Sequence, residues 1–254
     1  MANPLKTALL ARDRQLVGCW TMFASPLVAE AMAWTGYDMI VIDAEHTPLS
    51  AMNALHCLQA VAGTPCLPLL RLPDDNPTMI KQMMDAGAAS LMVPMIDTAE
   101  QARNLVRATR YAPQGIRGFA AMHRASRFGA DANYISTANE SVLLIAQIET
   151  PAAVEALDDI LAVEGIDGVF IGPGDLSAAM GRIGQAGSDE MLLLMEDCAK
   201  RAHAAGKPVG GLALNTAMAQ RLLHAGYDFV PVSNDIALMT RAARATLQEV
   251  CGDK

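Results

Sequence analysis

Four polar side chains in this sequence each stand behind a short apolar run, and together they form a reagent set for carbanion chemistry. Arg71 closes the run 66–71 and Glu149 closes 142–149. Asp175 follows 167–172 within Gly172-Pro173-Gly174-Asp175, and His46 follows 38–43 within Asp43-Ala44-Glu45-His46. Glu149 and Asp175 are hard oxygen donors of the kind that Mg²⁺ or Mn²⁺ prefers. A pair of protein ligands leaves positions open for water and substrate. A guanidinium at Arg71 could donate to a developing enolate oxygen. His46 could act as a general base, tuned by Asp43 or Asp85. Structural readings stand beside these: Asp175 could cap the helix that follows it, and Arg71 could make an ion pair with a rim acid.

The remaining reactive side chains narrow the chemistry. His56, His203 and His224 fall in helical stretches, and His123 lies in a long irregular segment. Lys6, Lys81, Lys200, Lys207 and Lys254 all avoid the C-terminal ends of the expected strands. No lysine is therefore placed to form a Schiff base, and a metal must serve as the electron sink. GxxxxGK[ST], GxSxG and HExxH are absent. Cys19, Cys57, Cys66, Cys198 and Cys251 are scattered without a CxxC pair, which reads as reduced thiols in a cytoplasmic protein. A formal net charge of -8 argues against nucleic acid as a partner. Neither a signal peptide nor a membrane span is legible.

The elements that must position these groups alternate along the chain. Strands are expected at 16–20, 38–43, 66–71, 90–94, 142–149, 167–172, 208–212 and 228–232. Helices are expected at 26–34, 51–62, 77–86, 98–110, 151–163, 188–205, 215–225 and 235–250. Eight such units in 254 residues fit one closed (β/α)8 barrel domain, 1–254, better than an open sheet. Barrels carry their reactive groups at the C-terminal ends of the strands, where the four residues above fall. The segment 111–140 is too long for an ordinary connection and reads as a lid or an interface.

Six blocks carry a resemblance: Gly36-Tyr-Asp-Met-Ile-Val-Ile-Asp-Ala-Glu-His46, Leu91-Met-Val-Pro94, Arg110-Tyr-Ala-Pro-Gln-Gly-Ile-Arg-Gly118, Arg124-Ala-Ser-Arg127, Gln147-Ile-Glu-Thr150, and 165–177 with its Gly-Pro-Gly-Asp-Leu-Ser end. In this order they resemble the HpcH/HpaI family of class II pyruvate aldolases. The resemblance implies a TIM barrel of the phosphoenolpyruvate/pyruvate superfamily whose final helix is swapped between subunits. It also implies a homo-oligomer, a hexamer built as a trimer of dimers, with Phe119 and Arg127 in a segment reaching a subunit boundary. Glu149 and Asp175 resemble the ligands of Mg²⁺, Mn²⁺ or Co²⁺. Arg71 resembles the residue that steadies the enolate, and His46 the acid/base centre with Asp85 as its partner. Asp43 and Gln147 match the polar shell, Gly172, Pro173 and Gly174 the carboxylate end, and Trp20 and Leu212 the pocket walls.

The reaction implied is retro-aldol cleavage of a 4-hydroxy-2-oxo acid to pyruvate, or a related 2-oxo acid, and an aldehyde. Gly174 replaces an alanine common in the family, and Phe119, Met122 and His123 stand where relatives vary. Two other readings share the scaffold. One is an acyl-CoA carbon–carbon lyase of the citrate or malyl-CoA type, disfavoured by the acidic charge and the few lysines. The other is a keto-acid-binding protein without turnover.

Overall fold

A computed structural model describes residues 3–252. Eight strands close into a barrel in sequence order: β1 (Leu16–Thr21), β2 (Met39–Asp43), β3 (Leu67–Arg71), β4 (Ser90–Val93), β5 (Leu143–Ile148), β6 (Gly168–Ile171), β7 (Val209–Gly211) and β8 (Phe229–Asn234). All neighbours pair in parallel. The unbroken apolar runs follow from this arrangement, because each strand buries both faces. Leu16, Trp20, Met39, Val41, Leu69, Met92, Leu143, Ile145, Phe170 and Phe229 fill the barrel interior. The alternate residues, such as Ile40, Ile42, Leu70, Leu91 and Leu144, pack outward against helices.

The helices begin where the sequence supplies caps. Ser25 accepts from Val28 N ahead of α2 (Pro26–Ala33), after α1 (Pro4–Ala11), and Ser50 caps α3 (Ala51–Val61). Asn76 caps α4 (Pro77–Asp85) and Thr98 caps α5 (Ala99–Thr109). The segment 111–140 holds a 3₁₀ turn, Arg124–Gly129, and leads into α6 (Tyr134–Ser141). The helix expected at 151–163 is two short pieces, α7 (Pro151–Glu155) and α8 (Leu157–Leu161), broken where Ala156 leaves helical geometry at ψ 3°. α9 (Pro173–Ala179), α10 (Asp189–Ala204), α11 (Thr216–His224) and α12 (Asp235–Cys251) complete the order.

Strict eight-and-eight alternation is therefore too simple. The additional helix α1 plugs the N-terminal end of the barrel, with Leu5 and Leu9 joining the interior cluster. Its cap Asn3 accepts from the amides of Leu5 and Lys6 and donates to Ala89 O and Ser90 Oγ, tying the plug to β4. α12 buries only Asp235, whose carboxylate accepts from the amides of Met22 and Phe23 at the end of β1. Met239, Leu247 and Val250 on this helix are exposed. Among the described residues, no helix is long and apolar enough to cross a membrane.

Two predictions follow from this packing. A methyl group at Gly210 would lie 2.2 Å from Cε2 of Phe229 inside the barrel. Gly210→Ala is expected to destabilise the protein by about 1–3 kcal/mol, read by chemical denaturation. Cys19, Cys57, Cys66 and Cys198 are buried, and desolvation pushes their thiols up to about 12, 11, 11 and 12. Thiolate is the reactive form. At pH 8 a thiol reagent should therefore modify the exposed Cys251 quickly and the other four only after denaturation.

Candidate active site

The period of two along a strand determines which polar side chains enter the barrel mouth. Asp43 lies two residues beyond Val41, Arg71 two beyond Leu69, and Gln147 two beyond Ile145, all interior positions. Asp43 and Arg71 are also register partners on adjacent strands. Their side chains form a bidentate pair: Arg71 Nε donates to Asp43 Oδ1 at 2.9 Å and Nη2 to Oδ2 at 2.8 Å. Asp43 is 0% exposed and Arg71 7%. The guanidinium lies over the Trp20 ring at 4.3 Å from its centroid.

Glu45 Oε2 approaches Arg71 Nη1 to 2.9 Å, off the hydrogen-bond direction. A guanidinium has five N–H groups, and Asp43 takes two of them. The other three make no hydrogen bond to Asp43, and Nη1 lies against Glu45. Asp43 Oδ1 also accepts from the amides of Glu45 (3.0 Å) and His46 (3.5 Å), and Thr47 Oγ1 donates to Asp43 O. One buried carboxylate thus orients both the arginine and the turn that carries His46. The His46 ring is half exposed, with Nε2 3.8 Å from Glu45 Oε2. Burial pushes the Glu45 carboxyl up, Arg71 opposes this, and Glu149 and Asp43 add to it.

Glu149 extends from the end of β5 and is 1% exposed. Its Oε1 accepts from Met95 N at 2.8 Å and its Oε2 accepts from Gln147 Nε2. Met95 adopts φ 56°, a left-handed conformation that costs a non-glycine residue about 1–2 kcal/mol. The amide it presents is a ligand of this carboxylate, which is where such strain is found in functional sites. Burial raises the Glu149 pKa; the two hydrogen bonds oppose that rise and the charge of Asp175 adds to it. A Cβ at Gly172 would come within 2.7 Å of Glu149 Oε2 and 3.0 Å of its Cβ, so glycine is what lets the carboxylate lie across the end of β6.

Asp175 is exposed in the first turn of α9, where Gly172 is the N-cap. The capping reading of Asp175 therefore does not hold. A carboxylate destabilised by desolvation, whose pKa the charge of Asp175 raises further, suits a hard divalent cation. Among the described residues no group of three or more His, Cys, Asp or Glu converges.

The other expected residues divide clearly. Leu212 packs on the interior cluster directly after β7, Pro173 is buried, and Gly174 is exposed with nothing within 4 Å of where a Cβ would stand. Asp85 does not meet His46 within one chain. It ends α4 near the start of β4, at the opposite end of the barrel, where Arg117 Nη2 donates to it at 2.6 Å and His123 Nε2 lies 3.6 Å away. Distance along α4 is the reason: a helix of nine residues carries its last side chain back to the N-terminal rim.

The lysines among the described residues lie on helices or at the N-terminal ends of strands. Lys207 donates to Val163 O and Ile166 O, Lys6 pairs with Asp167, and Lys81 and Lys200 lie on α4 and α10; Lys254 is outside the described residues. Glu45 and the Met95 amide were not among the expected site residues. The signal for Glu45 was its place between Asp43 and His46, whereas a backbone amide leaves no mark in a sequence. A cavity of about 460 Å³ lies between α1, α3, α4 and α6, with Arg117 in its wall and none of the barrel-mouth residues lining it.

A closed parallel barrel with an arginine and carboxylates at its mouth is an architecture for stabilising anionic intermediates. The chain belongs to the HpcH/HpaI aldolase/citrate lyase family, whose profile matches residues 16–242. It is similar to a hydroxypyruvate/pyruvate aldolase of Roseovarius nubinhibens, 46% identical over 96% of this chain and 95% of that protein. A 2-keto-3-deoxy-L-rhamnonate aldolase of Salmonella gallinarum is also 46% identical, over 97% and 92%. The crystal structure of an HpcH/HpaI aldolase/citrate lyase family protein from Burkholderia cenocepacia superimposes with a TM-score of 0.95 at 38% identity, covering 98% of this chain and 99% of that one. The protein is accordingly an aldolase, a carbon–carbon lyase.

Removing Asp43 tests the electrostatic frame. Asp43→Ala leaves a buried guanidinium without its bidentate partner and should cost about 3 kcal/mol of stability. Urea titration of the variant measures the loss.

Proposed function

We propose that the enzyme cleaves 4-hydroxy-2-oxo acids reversibly to pyruvate, or a related 2-oxo acid, and an aldehyde, as a cytoplasmic class II aldolase. The observation that carries this reading is a buried, rigidly held arginine with unused N–H groups beside a buried carboxylate. The names of the two relatives at 46% identity, both aldolases with 2-oxo acid chemistry, support it. Glu149 and Asp175 would hold Mg²⁺, Mn²⁺ or Co²⁺, which supplies Lewis-acid stabilisation of negative charge on the 2-oxo acid.

The protein groups perform the rest. Gly172, Pro173 and Gly174 border the carboxylate end of the substrate, and Trp20 and Leu212 form its apolar walls. Free N–H groups of Arg71 donate to the keto oxygen. His46 takes the proton of the C4 hydroxyl as the C3–C4 bond breaks, and the aldehyde leaves. The electron pair of that bond becomes an enolate whose oxygen Arg71 holds, and protonation at C3 completes the 2-oxo acid. Asp43 and Trp20 fix the guanidinium beforehand, so little reorganisation accompanies charge development. Pairing of His46 with Asp85 requires a second copy of the chain, in keeping with a homo-hexamer that exchanges the exposed α12.

Arg71→Ala is expected to slow exchange of the pyruvate C3 protons with D₂O at least about 100-fold, followed by NMR. Chelation should abolish aldehyde-dependent pyruvate turnover, and Mg²⁺ or Mn²⁺ should restore it. Full activity after exhaustive chelation would refute the metal assignment.

A further inference from the structure

At the N-terminal end of the strands, opposite the barrel mouth, α1, α3, α4 and α6 surround the cavity of about 460 Å³. Its size falls within the range of small-molecule pockets, about 300–1,000 Å³. Leu5, Leu58, Val61, Met84, Ala138 and Val142 form its apolar walls, and all are buried. Polar side chains in the wall largely satisfy themselves within the protein. Asn3 and Ser90 bond to each other, Thr64 donates to Val61 O, Thr137 to Asn133 O and Ser141 to Ala138 O.

Arg117 is the exception. Its side chain is 1% exposed, and Nη2 donates to Asp85 Oδ1 at 2.6 Å and to Tyr134 Oη at 3.2 Å. Its Nε is buried and has no acceptor. Among the described residues, the other buried side-chain atoms without partners belong to Trp20, Glu45, Tyr111, His123 and Gln147, none of which lines this cavity. A guanidinium cannot shed that hydrogen, so the unmet donor is destabilising until an acceptor reaches it. Charge decides which acceptor suits. Asp85 already neutralises Arg117, and Asp131 brings a further carboxylate to the wall. An anionic ligand would enter against two acids and lose its water among aliphatic side chains. A neutral carbonyl oxygen meets the N–H without either cost.

We propose that this cavity is a second binding site for an uncharged, mainly apolar molecule with one carbonyl group, whose oxygen accepts from Arg117 Nε. An aryl or medium-chain alkyl ketone is the simplest member of that class. The apolar body of the ligand packs against Leu58, Val61 and Val142, and its burial supplies most of the affinity. The single hydrogen bond fixes its orientation. Neither Arg71, Glu149 nor Asp175 lines the cavity, so the site stands apart from the metal and from the aldolase reading. Its occupancy reaches Asp85 through Arg117, which holds both.

The test measures binding of acetophenone, ethylbenzene and benzoate to the full chain by equilibrium dialysis. Acetophenone should bind at one site per chain, about tenfold more tightly than ethylbenzene, which has a similar shape without the acceptor. Benzoate should bind at least about tenfold more weakly than acetophenone. Arg117→Met should bring acetophenone down to the affinity of ethylbenzene. Ala138→Phe, which adds a ring to the cavity wall on α6, should abolish binding of both. In the wild type, no binding of acetophenone, equal affinity for acetophenone and ethylbenzene, or tighter binding of benzoate each overturns the proposal, and these comparisons need no variant to fold. Acetophenone binding unchanged by Ala138→Phe lies elsewhere on the protein and overturns it too. None of the probes is a 2-oxo acid, so failure here leaves the aldolase reading standing.

Discussion

The bidentate pair between Arg71 and Asp43 is the constraint on which the rest of the barrel mouth depends. Both side chains come from adjacent strands in register and both are buried. Such a pair adds little net stability, since desolvating two charges roughly offsets their attraction. Its value is positional. Asp43 holds one edge of the guanidinium, the Trp20 ring supports its face, and Glu45 lies against Nη1. The same carboxylate gathers the amides of Glu45 and His46, so the turn after β2 takes its shape from the pair as well.

A second electrostatic problem sits across the mouth and has the opposite sign. Glu149 is buried without a cationic side chain bonded to it, and its two oxygens rest on an amide from a strained backbone and on Gln147. Arg71 carries two counter-ions, Asp43 and Glu45, while Glu149 rests on neutral hydrogen-bond donors. This asymmetry is compatible with the cation proposed for Glu149 and Asp175. Gly172 completes the arrangement by giving up its side-chain volume to the carboxylate.

Much of this was legible in the sequence, for reasons that can be named. Parallel strands buried on both faces read as unbroken apolar runs, so 38–43 and 142–149 stood out and their terminal acids could be assigned to one rim. Caps followed by proline, as at Ser25-Pro26 and Thr150-Pro151, marked helix starts to within a residue. Two short helices were missed: α1, despite the Asn3-Pro4 start that resembles the one read at Ser25-Pro26, and α9, whose N-cap Gly172 supplies no side chain. α9 mattered most, because placing its start at Pro173 puts Asp175 in the first turn and removes the capping interpretation. Asp85 does not meet His46 within one chain because the nine residues of α4 carry it back to the N-terminal rim, where Arg117 holds it.

The parts that escaped the sequence share a physical character. The Met95 amide, the orientation of the Gln147 amide and the empty volume at Gly172 are properties of backbone course and hydrogen-bond direction, and residue identity alone does not encode them. They are also the features that tune the site. Strand-borne side chains determine that an anion can be stabilised here, since their positions follow from register.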